Sequence, residues 1–239
     1  MGRRQPPVQQ APPAHKVRLR YAKRGPMRFT SHRDVGRALE RALRRAEIPM
    51  AYSSGFSPHP RISYAGASPT GAASEAEYVE LGLRQVVDPA KLSQALNQSL
   101  PPGLTILDAA TALPEPMAEL LQASDWEARL DGIDAASLKA AVAELMSLGE
   151  CVVERMTKNG MRAFDVRGAV VSVVPGDGSL EMRIRHLTPL VRPDDVVSAL
   201  RRIDPTWTPA SAPLLTRRHQ GRLADGALGD PLRIAQDAV

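Results

Sequence analysis

The segment from residue 31 to residue 46 constrains the fold most, because apolar residues recur in it at helical spacing. The apolar positions are Val35, Ala38, Leu39, Ala42, Leu43 and Ala46. Arginines occupy the opposite side, at Arg33, Arg37, Arg41, Arg44 and Arg45. Ser31, followed three residues later by Asp34, is typical of a helix start, and Pro49 is expected to end the helix. The pattern predicts an amphipathic helix with one apolar and one strongly basic face.

Alternating segments around this helix predict the strands of a sheet. Asp88-Pro89 is typical of the start of a second helix, which residues 101–103 interrupt. The order is strand, helix, strand, strand, helix, strand, as in a ferredoxin-like (βαββαβ) unit. The candidate strands are residues 16–21, 61–65, 75–83 and 104–107.

The second half of the chain repeats this order in a more degenerate form. Asn159-Gly160 and Asp177-Gly178 are typical of hairpin turns, and Asp134 is typical of a helix start. We therefore predict an α+β protein with two tandem ferredoxin-like units, each an antiparallel sheet with helices on one face. The candidate strands are residues 126–130, 152–156, 162–174 and 180–184, and a last helix covers residues 193–203. The predicted parts are a disordered leader (1–14), a first unit (15–110), a linker (111–123), a second unit (124–223) and a poorly ordered tail (224–239).

The composition excludes several classes of protein. No segment approaches the ~20 consecutive apolar residues of a transmembrane helix. The first 14 residues contain charge and prolines without the apolar stretch of a secretory signal. The single cysteine, Cys151, excludes an intramolecular disulfide and fits a reducing compartment. We expect a cytoplasmic protein with no membrane partner.

Positive charge is concentrated in one segment, although the formal net charge is only +5. Residues 15–61 carry twelve Lys/Arg and three acids, whereas residues 62–150 carry four Lys/Arg and thirteen acids. Such clustering is typical of proteins that bind a polyanion. The alternative is that the arginines pair with the acids that follow them in the chain.

Aromatic residues coincide with the basic segment. Bases of single-stranded RNA stack on exposed rings at about 1–3 kcal/mol each, while cations contact the phosphates. The alternative is that the rings fill a small core, and Tyr21 and Tyr78 are the expected core members. Six of the nine aromatic residues lie between residues 21 and 78: Tyr21, Phe29, Tyr52, Phe56, Tyr64 and Tyr78.

Two polar segments supply the candidate binding residues. At the start of the first helix, free backbone N–H groups favour an anion. In the loop that precedes the second strand, two prolines reduce the entropy lost on binding. The alternatives are that the helix cations point to solvent and that the loop is only a connector. The candidates for RNA or anion binding are Arg28, Phe29, Ser31, His32, Arg33, Arg37, Arg41, Arg44, Gly55, Phe56, Ser57, His59, Arg61 and Ser63.

Evidence for chemistry of the chain's own is weak in the sequence. His32 and His59 are candidates for an acid–base pair in RNA cleavage, since imidazole titrates near neutral pH. No carboxylate partner is evident from the spacing. Five scattered histidines and one cysteine give no zinc or iron–sulfur pattern, and no phosphate-binding glycine motif is present. We therefore predict no metal and no cofactor.

A resemblance to a known family lies in three stretches: RFTSHRDVGRALERALRRAEIPMAYSSGFSPHPRISYA, SPTGAASEAEYVEL and LNQSLPPGLTILDA. They resemble the radical-SAM-linked domain family of unknown function, over roughly residues 16 to 210. The second half matches mainly by layout. The resemblance implies a radical SAM protein as partner and a macromolecular substrate such as RNA. The chain lacks the CxxxCxxC cluster of the radical SAM enzyme, so the resemblance implies a separate accessory module.

The early portion also resembles, by layout alone, the paired ferredoxin-like domains of CRISPR repeat-RNA endoribonucleases. In those enzymes the helix after the first strand and a glycine-rich loop hold the RNA. The glycine-rich loop near their C-terminus is not apparent in this sequence.

The leading hypothesis is an RNA-binding accessory protein that works with a radical SAM enzyme. Two alternatives stay open. One is a metal-independent endoribonuclease that uses His32 and His59. The other is a protein-docking module whose arginine helix binds an acidic surface of the radical SAM partner.

Overall fold

A computed structural model describes residues 9–158, 160–207 and 211–233 of the chain. The chain divides into two compact units, one of residues 1–118 with 231–239 and one of residues 119–230. The predicted α+β class is confirmed, since antiparallel sheets and α-helices alternate through the described residues. None of the described helices is both long and apolar enough to cross a bilayer.

The first unit contains an antiparallel sheet in the order β4-β1-β3-β2. Its elements are β1 (His15–Lys23), a 3₁₀ turn (Gly25–Phe29), α1 (His32–Arg45), β2 (Ile62–Ala65), β3 (Ala73–Leu83), α2 (Pro89–Asn97) and β4 (Leu104–Thr111). A short helix, α3 (Met117–Leu120), follows β4. The predicted element order of this unit is therefore observed.

One face of this sheet packs against α1 and α2. Val17, Leu19 and Tyr21 alternate along β1 and are all buried on that face. Leu39 of α1 and Leu96 of α2 join the same core. Both helices therefore cover the same side of the sheet, which we call the helix side.

The ends of α1 follow from local chemistry. The Ser31 hydroxyl accepts a hydrogen bond from the Asp34 backbone N–H (3.2 Å), as the sequence predicts. The helix stops at Arg45, earlier than the prediction from Pro49. Glu47 takes the left-handed conformation (φ 51°), and the Ile48 N–H donates to the Leu43 carbonyl (3.0 Å). This capping motif ends the helix before the proline is reached.

The other face of β1 differs from the simple alternation that the sequence suggests. Arg18 is only 1% exposed and donates to Glu80 across the strand pair (2.9 Å) and to the backbone carbonyl of Glu115. Burial alone would raise the pKa of Glu80, but hydrogen bonds from Lys16 and Arg18 outweigh it and hold the pKa below its ordinary value. An arginine can be buried here because its charge is paired.

The second unit has a sheet in the order β10-β5-β9-β8, also antiparallel. Its elements are β5 (Ala123–Arg129), α4 (Ala135–Ser147), β6 (Val152–Thr157), β7 (Gly160–Asp165), α5 (Val166–Ala169), β8 (Val170–Gly176), β9 (Ser179–Arg185), α6 (Pro193–Ile203), β10 (Leu214–Gly221), β11 (Leu223–Ala224) and β12 (Ala227–Leu228). The strands β6 and β7 form a separate hairpin, as do β11 and β12.

The prediction of one strand over residues 162–174 is wrong, because the one-turn helix α5 interrupts it. The Asp165 carboxylate accepts from the Gly168 N–H (3.1 Å) and from the Cys151 N–H (3.0 Å). These bonds cap the turn, while Val166 and Ala169 are buried. A side chain at Gly168 would place Cβ 2.5 Å from the Asp165 carboxylate, so the turn requires glycine.

The structure describes the predicted turn at Asp177-Gly178, part of the turn at Asn159-Gly160, and the tail as far as Arg233. Asp177-Gly178 joins β8 to β9, and Gly178 has a positive φ of 57°. Asn159 lies outside the described residues, but Thr157 pairs with Gly160 next to it. The tail differs from the prediction as far as Arg233, because it contains β11, β12 and a buried Leu232.

A hydrogen-bond network in the second unit holds the partly buried imidazole of His186. His186 Nδ1 donates to the Leu121 carbonyl (2.7 Å), which fixes the tautomer. Its Nε2 therefore accepts from the Ser124 hydroxyl (3.0 Å), which in turn accepts from the Trp126 indole N–H (2.8 Å). Burial lowers the pKa of His186.

The partial burial of His186 predicts that the free energy of unfolding depends on pH. With the pKa of His186 lower in the folded state, the unfolded state binds the proton first. The free energy of unfolding should fall as pH drops below the ordinary histidine value of about 6.5, and level off below the folded pKa. His186→Asn, which keeps a donor to Leu121, should remove this dependence in denaturant titrations. An identical pH profile for both proteins between about pH 7 and 5 would contradict the assignment.

Candidate nucleic-acid interface

The exposed face of α1 carries arginines that the acids of residues 62–150 do not neutralise. Arg37 pairs only with Asp34 of the same helix (3.3 Å), and both side chains are about half exposed. Arg33 and Arg41 are exposed, and the part of the chain that the structure describes offers them no hydrogen-bond or ion-pair partner. Arg44 reaches only the Glu40 backbone carbonyl (3.3 Å). The helix therefore presents a basic surface free of tertiary ion pairs.

Other cations of the basic segment do pair with downstream acids. Lys16 and Arg18 share Glu80, and Arg24 contacts Glu75 (3.0 Å). Both alternatives left open by the sequence thus apply, each to a different element. Lys16, Arg18 and Arg24 are paired with downstream acids, whereas the described residues show no ion pair between an α1 arginine and an acid outside the helix.

The free hydrogen-bonding groups at the start of α1 are partly satisfied by the residues of that turn. The Ser31 hydroxyl donates to the Asp34 carboxylate (2.7 Å) while it accepts from the Asp34 N–H. A carboxylate at this helix end is electrostatically favourable. Arginine side chains, more than free N–H groups, are therefore what this surface offers to an anion.

His32 packs against β2 at this end of the helix. Its ring meets the Tyr64 ring edge-on, with 4.8 Å between the centroids. A Cβ at Gly36 would lie 3.4 Å from the Tyr64 hydroxyl, so Gly36 lets the ring sit close to the helix. Burial, followed by the charge of Glu40, raises the pKa of Tyr64. Tyr64 is a packing residue, and Tyr21 and Tyr78 are buried as predicted.

Phe29 is the exposed ring beside the helix start. It is 68% exposed at the end of the 3₁₀ turn, and the Arg28 guanidinium lies 5.6 Å from its centroid. Arg28 is held there by a hydrogen bond from its Nε to the Gly71 carbonyl (2.6 Å). An exposed ring next to a fixed cation is an arrangement on which an unpaired base can stack while the cation contacts a phosphate.

The loop before β2 is closed at its base. Ser53 and His59 exchange two hydrogen bonds, at 2.8 Å and 3.0 Å, and the Arg61 Nε donates to the Tyr52 carbonyl (3.1 Å). Phe56 is 65% exposed at the tip, next to Gly55 with φ 146°. The loop is thus anchored, and its ring projects outward.

The sequence-predicted residues form two groups instead of one. Tyr64, which contacts His32, lies on the helix side of β2. Arg61 comes three residues before Tyr64, and its backbone carbonyl accepts a hydrogen bond from the Gly82 N–H. Three residues of strand span ~10 Å, and an odd offset places side chains on opposite faces. The described residues show no contact between His32 and His59, and they contain no cluster of three metal-ligating side chains.

We name the two groups by their position. The helix-side patch comprises Arg28, Phe29, Ser31, His32, Arg33, Arg37, Arg41 and Arg44. The loop cluster comprises Gly55, Phe56, Ser57, His59, Arg61 and Ser63.

A small pocket beside the loop cluster was not anticipated from the sequence. It has a volume of about 210 Å³ and is lined by Lys16, Arg61, Ser63 and Glu80 among others. Gly82 forms its floor, since a Cβ there would lie 2.9 Å from Pro13 and 3.0 Å from Arg61. A glycine inside the strand β3 was the signal for it in the sequence.

Comparisons with known proteins give a family but no activity. A family model described as an uncharacterized protein conserved in bacteria (DUF2344) matches residues 16–193. No curated protein matches the chain. Among solved structures, the chain is similar to the crystal structure of an unknown protein from Galdieria sulphuraria, at 14% identity and a TM-score of 0.27. That match covers 85% of this chain and 98% of the other.

The cap of α1 can be tested by one substitution. Ser31→Ala removes the hydroxyl that satisfies the Asp34 N–H and should lower the free energy of unfolding by about 1 kcal/mol. Ser57→Ala, at an exposed loop position, is the matched control and should stay within about 0.5 kcal/mol of wild type. Equal losses for the two variants in urea titrations would show that the cap does not support the helix.

Proposed function

Because the chain belongs to an uncharacterized family of bacterial proteins whose description assigns no activity, we propose from its own surface that it binds single-stranded RNA on the helix-side patch. The observation that carries this proposal is the row of arginines on α1 that lack a tertiary acidic partner, beside the exposed Phe29. By the family resemblance, the RNA-bound chain acts as an accessory to a radical SAM protein in the cytoplasm.

The spacing of the arginines suits a phosphate backbone. Arg33, Arg37, Arg41 and Arg44 recur every three or four residues and so lie on one face. From Arg33 to Arg44 the helix rises about 16 Å at ~1.5 Å per residue, so the row is long enough to follow several phosphates of one strand. Like charges at this spacing cost about 0.2–0.5 kcal/mol per pair. Helix stability does not favour the arrangement, whereas a bound polyanion does.

The proposed mode differs from the one in which RNA lies across an open sheet. Both units have the strand order of a ferredoxin-like fold, and we propose that they are two tandem copies of it. In RNA-recognition domains with a four-stranded sheet, bases stack on aromatic residues of the strands. In this chain the sheet face away from α1 and α2 contains the buried Arg18 and Tyr78. The exposed helix, and not the sheet, is therefore the proposed RNA surface.

The two alternative functions stand differently against the geometry. An endoribonuclease that pairs His32 with His59 gains no support, because these residues lie in different groups. A docking role for α1 uses the same arginines, with an acidic surface of the radical SAM protein in place of phosphates. Binding of purified RNA in the absence of any partner protein separates the docking role from the proposed function.

A double substitution on α1 tests the electrostatic part of the proposal. Arg37→Ala with Arg41→Ala should weaken binding of every single-stranded RNA alike. It should also reduce the slope of log affinity against log salt by about 1.4, since each phosphate contact contributes ~0.7. Fluorescence anisotropy across a salt series measures both. Arg84→Ala with Lys91→Ala removes the same charge from exposed positions elsewhere and should leave the slope unchanged. Equal slopes for the two double variants would contradict the proposal.

Substitution of the exposed ring tests stacking. Phe29→Ala should weaken binding of single-stranded RNA by about 1–3 kcal/mol and leave duplex RNA unaffected, because only unpaired bases offer their faces. Phe29→Tyr keeps the ring and should retain the affinity. Phe56→Ala should show the same preference if the RNA reaches the loop cluster. A loss on duplex RNA equal to that on single strands would show that Phe29 acts through folding instead of stacking.

A further inference from the structure

The second unit contains a hairpin that the strand order of its sheet does not require. The strands β6 and β7 lie between α4 and β8 in the chain and pair only with each other. Val153 and Phe164 face each other on one rung and are buried, which fixes the base of the hairpin. Two rungs nearer the tip, and therefore on the same face, Arg155 lies opposite Arg162.

A groove of about 560 Å³ lies between this face of the hairpin and the segment before α6. Among the described residues that line it, four are cations and none is an acid. The cations are Arg155, Lys158, Arg162 and Arg192. Phe164, Pro189 and Leu190 supply apolar walls. A groove of this size accommodates a ligand such as one or two nucleotides.

Of these four cations, Arg155 is the one that forms an ion pair with a described acid. Arg155 pairs with the buried Asp195 carboxylate, and its second amino group donates to the Leu190 carbonyl (3.2 Å). Its guanidinium carbon lies over the Phe164 ring, 4.0 Å from the centroid, in a cation–π contact. Asp194 and Asp195 begin α6 behind the groove, and neither lines it.

Two of the other three cations, Lys158 and Arg162, are exposed. Lys158 and Arg162 have no hydrogen-bond or ion-pair partner within the described ranges. Like charges directly opposite on an antiparallel pair are destabilising, and Arg155 faces Arg162 in this way. An anion in the groove would relieve that repulsion. The nearby Leu190 is 48% exposed and Met156 is 68% exposed, so the groove also offers apolar contact.

We propose that the hairpin groove is a second RNA-binding site, which takes the sugar-phosphate backbone of single-stranded RNA. The identity of the polyanion rests on the proposed function of the helix-side patch, while the site itself rests on the residues of the groove. Lys158 and Arg162 contact phosphates, and the fixed Arg155 guanidinium offers a plane against which a base stacks. Each unit of the chain thus holds the RNA at a basic surface of its own.

The test uses the full chain and a fluorescent single-stranded RNA of about 30 nucleotides in a salt series. Lys158→Ala with Arg162→Ala should weaken binding and reduce the salt slope by about 1.4. Lys158→Arg with Arg162→Lys keeps both charges and should retain the slope. Arg185→Ala with Arg222→Ala removes two exposed charges elsewhere in the same unit and should behave as wild type.

The outcomes separate this inference from the proposed function. Normal binding by the groove variant, together with weakened binding by the α1 variant, would overturn the groove and leave the helix-side patch intact. The reverse pattern would support the groove and reject the helix-side patch. No binding by the wild-type chain at low salt would reject both. If polyglutamate, but not RNA, loses affinity in the groove variant, the site takes acidic peptides and the proposal is wrong.

Discussion

The packing of one side of α1 against β1 and β3 determines what the first unit shows to its surroundings. Leu39 and Leu43 are buried in the same core as Leu19 and Val79, so the helix cannot rotate without exposing apolar area. Because a helix has a fixed period, burial of these leucines forces the arginines outward as a row. The capping of α1 by Ser31 then sets where that row begins, next to Phe29.

The positive charges of the chain are of two kinds: buried charges that are paired, and exposed charges that folding does not pair. Arg18 is buried and therefore needs Glu80, since an unpaired buried charge would cost several kcal/mol. The arginines of α1 stay in water, where no partner is required for folding. In the second unit, Arg155 is paired, whereas Arg162 opposite it has no ion-pair partner among the residues that the structure describes. Charge that folding does not use is available for a polyanion.

The helices with clear caps and apolar stripes were predictable, and short or covered elements were not. The helix Pro193–Ile203 matches the prediction to the residue, because Pro193 and Asp194 mark its start and the basic residues mark its end. The turn α5 was missed because Asp165 caps it within an apolar run that reads as a strand. The division of the candidate site was missed because the face of the four-residue β2 depends on its pairing with β3, which the sequence does not display.

Photo-crosslinking of the full chain to a single-stranded RNA that contains 4-thiouridine, followed by mass spectrometry of the peptides, tests the central claim most directly. The account predicts crosslinks in the peptides that contain Phe29 and the start of α1, and their loss at high salt. Crosslinks confined to peptides of α2 or β4, with none near Phe29, would contradict it.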